Sequence, residues 1–374
     1  MDQKILGLGG SKVTHARFIS QNGKERGLSL PRPAAGYPYG YGLSRIRMDD
    51  FLLSEAIARG AQVFENCEAQ KIRGAGEGFL VSGFDFSKKD SFSIQAEIVI
   101  NAAGRFNRWP GNFQFPGRLA VPAHGRWGRW QEPAQPHASG PDRKICFKVH
   151  FQAAGLGSEV RIFLFRGGYL GMLEIEGGLV NVCGTVSEKI LKENDFDFDK
   201  ILLSVASEHS QFQDWLKNAS RHNAWISCGP QTHQFHGGFK DGIFHLGDAA
   251  CSLEPFMGQG MTMALAGAFL LAKLLDDTPS TPEGIKRTGK TYQQKLKRLY
   301  RSKMFLGNLL NKMTGYFGEK TGWKSWLLFN PWLIDYGIRE ACKIPISGYQ
   351  NTWRGGDAPQ SPTSTAREQA ETLR

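Results

Sequence analysis

The segment "GDAACSLEPFMGQGMT", residues Gly247 to Thr262, decides how this sequence is read. Before it, "GIFHL" (Gly242–Leu246) has the apolar character of a short strand. After it, "MALAGAFLLAKLL" (Met263–Leu275) has that of a long apolar helix. A strand ending at Leu246 delivers Gly247 and Asp248 to the carboxyl edge of a sheet, where ligands of open α/β folds lie. A carboxylate there accepts hydrogen bonds from ribose-type hydroxyls. Pro255 shapes the turn, and Gly258 and Gly260 let the backbone approach a flat ligand without a Cβ clash. A helix starting near Met261 then aims free N–H groups and its positive dipole end at that ligand, which suits a phosphate or an anionic ring. The competing reading is a plain strand–turn–helix in which Asp248 caps the helix.

The rest of the chain bounds what such a site could serve. Its 374 residues allow two compact units with real cores. A hydrophobic share of 41% with 22% charged residues is ordinary for a globular protein and argues against global disorder. The net charge of +11 favours anionic partners or surfaces, but no zinc-finger spacing or aromatic RNA-binding signature accompanies it, so nucleic acid is not an expected partner. Six cysteines are scattered without a CxxC pair, which suggests reduced thiols, a cytoplasmic setting and no metal. The N-terminus lacks a signal-peptide pattern, and the longest apolar run, Met261–Leu275, is too short to span a bilayer and carries Lys273.

Along the chain, residues 1 to 44 are rich in Gly, Pro and Tyr, as in "PRPAAGYPYGYG", with no confident strand or helix. A helical pattern begins at Met48 and stops at Gly60, a suitable C-terminal glycine. "AEIVINAAG" (Ala96–Gly104) reads as a continuous apolar strand ending in small residues. Between Lys144 and Val186, "KICFKVHFQ", "EVRIFLF", "YLGMLEIEGG" and "LVNVCGTV" have the spacing and glycine-bearing turns of an antiparallel sheet. A helical stretch follows at 201–216, a basic helical region runs from Gly284 to about Lys343, and the tail from Gly355 is polar and disordered in character.

The motif resembles the second FAD-binding motif of the flavoprotein superfamily that includes para-hydroxybenzoate hydroxylase and the geranylgeranyl reductases: Gly-Asp-Ala-Ala, then Pro, then Gly-x-Gly opening a helix. "LSRIRMDDFLLSEAIARGAQVFENCEAQKI" is similar to that family's Ser-Arg-x-x-x-Asp helix and following strand. "EIVINAAGRFN" resembles the strand whose end meets the dinucleotide, and "GGYLGMLEIEGGLVNVCGTV" the sheet that roofs the flavin. The resemblance implies an α/β, mixed α+β architecture: an incomplete Rossmann-like FAD-binding domain interrupted by an antiparallel β substrate domain, with C-terminal helices. The expected boundaries are 1–112 and 236–280 for the FAD-binding parts, 113–235 for the substrate domain, 281–350 for the helical region and 351–374 for the tail. It also implies FAD contacts from Arg45, Ala103, Gly104, Gly247, Asp248, Pro255, Gly258, Gln259, Gly260, Met261 and Thr262, and places Cys67 to Ala69 near the adenosine.

The sequence departs from the family in three places. The opening βαβ unit with Gly-x-Gly-x-x-Gly is missing; "ILGLGGSK" (Ile5–Lys12) lacks the third glycine, so the chain reads as beginning after that unit. The Asp-Gly-x-x-Ser-x-x-Arg pattern of NADPH-using hydroxylases is replaced at Ala103, Asn107 and Pro110, leaving the electron donor open between NAD(P)H and a redox protein. "RWGRW" (Arg126–Trp130) lacks the spacing of the flavin-halogenase Trp-x-Trp-x-Ile-Pro box, and Tyr169 is not followed by the reductases' Trp-x-Phe-Pro.

Other candidates are weaker. His233 and His236 have no third ligand at a helpful spacing, so they read as structural. Cys251 is a redox candidate or, more simply, a small buried thiol. The cations Lys286, Arg287, Lys290, Lys295, Lys297, Arg298, Arg301 and Lys303 precede Tyr316, Phe317, Trp323, Trp326 and Trp332. Peripheral contact with an anionic membrane is one reading of that region; a solvated face with a helical cap is the other. Two function classes follow. One is an FAD-dependent hydroxylase or double-bond reductase acting on an apolar or aromatic small molecule, polyprenyl or polyketide-like compounds included, with no catalytic residue singled out. The other is a non-catalytic remnant that keeps the fold without holding FAD tightly.

Overall fold

In a computed structural model of the chain, eight strands form the principal sheet. The structure describes residues 2–30, 39–75, 78–104, 144–153, 155–229, 233–279 and 281–315, and everything below concerns the unit Met1–Lys343. The sheet runs in the order Ser220–Arg221, Lys144–Gln152, Leu179–Ser187, Gly168–Glu174, Glu159–Phe165, His15–Ile19 and Glu25–Ser29, with Ile226–Cys228 also paired to Lys144–Gln152. All pairings are antiparallel except the parallel one between His15–Ile19 and Glu159–Phe165.

Alternation along these strands divides the sheet into two faces. Ile145, Phe147, Val149 and Phe151 point with Val180, Val182, Val186, Leu170, Met172 and Phe163 into one core, closed by the helices Phe198–Glu208 and Ser210–Lys217. The sequence predicts one helical stretch at 201–216. The break falls at His209, which is extended (φ −133°, ψ 98°) and whose Nε2 donates to the Leu164 carbonyl at 3.1 Å. Burial holds the His209 pKa below its usual value, against the opposing pull of this bond, and so favours the neutral ring with its proton on Nε2.

A second layer contains Phe239–Lys240, Ile243–His245 and Ile100–Asn101, the last two parallel in the registers Phe244↔Ile100 and His245↔Asn101. A three-stranded antiparallel sheet, Cys67–Ala75, Gly78–Asp85 and Asp90–Ala96, lies between these elements in sequence. The helix Gly260–Asp276 follows the motif, and the long helix Pro282–Gly315 braces the parallel strands. On that long helix Tyr292 donates its hydroxyl to the His245 carbonyl at 3.0 Å, and Gln293 Oε1 accepts from the N–H groups of Gly238 and Phe239 at 2.6 and 2.8 Å. Its outward side carries Lys286, Arg287, Lys290, Lys295, Lys297, Arg298 and Arg301, while Tyr292, Leu296, Tyr300 and Leu306 are buried. Lys303 departs from the solvated-face expectation, being only 1% exposed. The aromatic segment from Tyr316 onward lies outside the described residues, as does the tail.

Two sequence expectations are corrected here. Residues 1 to 44 do contain strands: His15–Ile19 and Glu25–Ser29 join the principal sheet, and Ser11–Val13 pairs with Gly40–Gly42. They are short and mixed in polarity, and the first two are tied to the rest of the sheet through His15–Ile19, whose parallel partner lies more than a hundred residues away. "AEIVINAAG" is not one continuous strand, because only Ile100–Asn101 pair with Ile243–His245, and Ile100 at the sheet's edge is 45% exposed. The helix Arg45–Ile57 likewise buries none of its residues, and Ile46, Leu53 and Ile57 are exposed together with Val63 and Phe64.

Candidate functional site

Parallel pairing places two segments of the candidate site at the same strand ends. Ile100–Asn101 leads to Ala103 and Gly104, and Ile243–His245 leads to Gly247 and Asp248. The Leu246 N–H donates to the Asn101 carbonyl at 2.9 Å, so the pairing persists to the exit point. Asn101 then ties the two segments together through its side chain. Its Oδ1 accepts the Ala103 N–H at 3.0 Å, which turns its Nδ2 toward His245 Nδ1 at 3.2 Å. Because Nδ2 can only donate, His245 accepts on Nδ1 and carries its proton on Nε2. Burial holds its pKa down, consistent with a neutral ring.

Gly247–Ala249 forms a single 3₁₀ turn, with Gly247 in the left-handed region (φ 56°). Asp248 follows, half-buried. Its charge and, above all, burial push Cys251 up to about 12, so Cys251, 1% exposed, is a packed thiol and not a redox nucleophile. Pro255 opens a second 3₁₀ turn, Pro255–Met257, and Gly258 closes it in the left-handed conformation (φ 62°). The 17-residue helix starts at Gly260 with Gln259 at its cap position, and the Gln259 side chain makes no capping hydrogen bond. Gly258, Gly260 and Met261 are exposed, Thr262 is half-buried, and an added Cβ at Gly258, Gly260 or Gly104 would meet no atom of the described residues within 4 Å. Gln259 Oε1 is buried without a hydrogen-bond partner among the described residues. The result is an open helix N-terminus with backbone donors, glycines bare on their Cβ side, and an unsatisfied buried oxygen.

The turn also reaches the principal sheet. Phe256 meets Tyr169 edge-on at 4.8 Å between centroids and lies 6.1 Å from Phe18. Both partners lie on the sheet face opposite the helix-covered core. Burial first, and nearby Cys183, Glu254 and Cys146, hold Tyr169 far above its usual pKa, so its hydroxyl stays protonated. Behind the turn, buried Glu254 pairs with His233 (Oε2–Nε2 2.7 Å). That accounts for one of the two histidines, and no group of three metal-ligating side chains is present among the described residues.

Not every expected residue converges. Arg45 begins its helix, but its guanidinium is exposed and hydrogen-bonds Asp49 at 2.8–3.2 Å. What that helix start does contact is the turn Glu176–Gly178 that joins two strands of the principal sheet: the Ser44 N–H donates to Glu176 Oε2 at 2.8 Å. "LGLGGSK" forms no phosphate loop. It runs into the strand Ser11–Val13, and Gly10 packs so closely on Gly42 that an added Cβ would sit 2.4 Å from its carbonyl oxygen. Asn101, Phe256 and Glu254 were not singled out in the sequence. Only Asn101 carried a signal, a polar residue at the end of an apolar run.

No protein-family profile and no curated protein matches the sequence. Solved structures do match the fold. The flavin-dependent halogenase CmlS superposes with a TM-score of 0.68 at 16% identity, over 91% of this chain and 61% of CmlS. The flavin-dependent brominase Bmp2 gives 0.64 at 12% identity over 100% of this chain and 85% of Bmp2. A geranylgeranyl bacteriochlorophyll reductase-like protein from Thermoplasma acidophilum gives 0.59 at 17% over 82% and 72%. The fold is that of the flavin-dependent oxidoreductases. The chain spans less than two thirds of the length of CmlS. The segment "RWGRW", which departs from the halogenase box, lies outside the described residues.

Proposed function

We propose that this chain is an FAD-dependent oxidoreductase acting on an apolar or aromatic small molecule, by hydroxylation or by reduction of a double bond. The observation that carries this reading is the convergence of the Asn101-linked strand ends with the open start of the helix Gly260–Asp276. Asp248 would accept from a ribityl or ribose hydroxyl. The bare faces of Gly258 and Gly260 would admit a flat ring, and the free N–H groups at 260–262 would stabilise negative charge beside it. Ala103 and Gly104 would border the dinucleotide from the neighbouring strand end. FAD, when bound, supplies the redox chemistry; the protein supplies orientation and a cleft under Tyr169 and Phe18. Reducing equivalents would come from NAD(P)H or a redox protein. No helix among the described residues is long and apolar enough to cross a membrane.

The exposed apolar side of Arg45–Ile57 and the open edge at Ile100 favour a second reading, a chain that keeps the fold but does not hold FAD tightly. Reconstitution separates the two. The first reading expects the purified chain, incubated with FAD and desalted, to retain the visible absorbance of oxidised flavin, and Gly260→Val to lose it. A chain that stays colourless supports the second.

A further inference from the structure

On the long helix Pro282–Gly315 the outward side is patterned in a way that a solvated surface does not require. From Gly284 to Gly315 the helix holds nine Lys or Arg and no Asp or Glu, so it contains none of the i,i+4 carboxylate partners that commonly neutralise an exposed helix. Arg287, Lys290, Arg298, Arg301, Phe305 and Leu309 recur at helical spacing and are all exposed, while Tyr292, Leu296, Leu299 and Tyr300 are buried on the other side. Phe305 is 73% and Leu309 42% exposed, so two large apolar side chains continue the line of cations instead of joining the packed face. At about 1.5 Å rise per residue the stripe from Arg287 to Leu309 runs roughly 33 Å.

Two features of the stripe select its partner. Charge of one sign along the whole length complements an extended anionic surface, which a straight helix can meet along its side. Phe305 and Leu309, in line with the arginines, suit a medium that takes up apolar groups of any shape, as the boundary between lipid headgroups and acyl chains does. An acidic protein would satisfy the cations but would also have to offer a pocket fitted to Phe305. The arrangement is that of a helix lying in the plane of a membrane interface, its cations level with the headgroups and its apolar side chains just beneath them.

We propose that this side of the helix Pro282–Gly315 docks the chain on an anionic lipid bilayer, through Arg287, Lys290, Arg298 and Arg301 to the headgroups and through Phe305 and Leu309 to the apolar boundary. Docking needs no cofactor, so it goes beyond the oxidoreductase reading and stands or falls separately from it. The test is co-sedimentation of the full chain with phosphatidylcholine vesicles, with and without phosphatidylserine, at low and at high salt. Binding is expected only where phosphatidylserine is present, and should fall as salt rises. Each cation near such a surface is worth about fivefold in partitioning, so Arg298→Gln together with Arg301→Gln should weaken binding roughly 25-fold. The same loss of charge from Lys88→Gln with Lys89→Gln, on the exposed turn between Gly78–Asp85 and Asp90–Ala96, should change it far less. Phe305→Ser should weaken vesicle binding about tenfold while leaving any binding of soluble polyglutamate unchanged. Equal binding to both kinds of vesicle, equal losses from the two double variants, or no binding at low salt would overturn the proposal. A Phe305→Ser chain that holds vesicles as tightly as wild type would also overturn it, and would assign the stripe to an acidic protein instead.

Discussion

Asn101→Ala tests the joint between the two strand ends. The substitution removes the acceptor for the Ala103 N–H at 3.0 Å and the donor to His245 Nδ1 at 3.2 Å, and leaves the backbone pairing with Leu246 intact. Two neutral hydrogen bonds at about 0.5–1.5 kcal/mol each predict a loss of roughly 1–3 kcal/mol in unfolding free energy. The effect should be local as well as global: amide exchange at Ala103 and Gly104 should accelerate more than exchange in the strand Lys144–Gln152. Asn101→Asp sharpens the test. Its carboxylate still accepts from Ala103 but faces His245 Nδ1 with an acceptor, favouring the protonated ring. Relative to Asn101→Ala, the Asp variant should therefore gain stability as pH falls through the His245 titration. Urea unfolding at two pH values, with hydrogen exchange at the higher, measures all of this. An Asn101→Ala chain within about 0.5 kcal/mol of wild type, with unchanged exchange at Ala103, would refute the idea that this side chain joins the site.

Two further outcomes concern the scaffold. Gly184→Ala should destabilise by at least the ~1–3 kcal/mol typical of overpacking, because its Cβ would fall 2.0 Å from the Tyr169 carbonyl oxygen, whereas Gly171→Ala, with its nearest contact at 3.6 Å, should be tolerated; urea midpoints compare them. Acid should also weaken the fold. Burial depresses the pKa values of His150, His209 and His245 below 6.5, so the unfolded chain takes up protons first. Their contribution is complete above pH 6.5 and is lost as pH falls from there toward the depressed folded values. Thermal melts should hold level above neutrality and drop below it, and His209→Gln, which can still donate to Leu164, should make the drop shallower.

Much of this architecture was legible in the residues. "KICFKVHFQ" alternates strictly and forms the strand Lys144–Gln152, and the glycine-rich turn after "GIFHL" opens a helix within one residue of the expected start. These signals are local: apolar period, proline, glycine. What escaped depended on distant partners. His15–Ile19 forms a hairpin with Glu25–Ser29 and lies beside Glu159–Phe165, and nothing local announces that second, parallel pairing. The span around Ile98 and Val99 is apolar enough for a buried strand, yet among the described residues it registers with a strand only at Ile100–Asn101, Val99 adding its carbonyl to the same neighbour. At the site the same division holds. The glycine positions were readable because backbone geometry demands them. Phe256 against Tyr169 and Glu254 against His233 are products of tertiary register.

The central claim is that Gly247–Thr262 is part of an FAD site, and titration of FAD into the full chain tests it most directly. Followed by the quenching of flavin fluorescence, wild type should bind saturably, and Asp248→Ala should raise the dissociation constant about tenfold or more, the cost of one hydrogen bond to a charged acceptor. Saturable binding that Asp248→Ala leaves unchanged, or no saturable binding by wild type, would contradict the account.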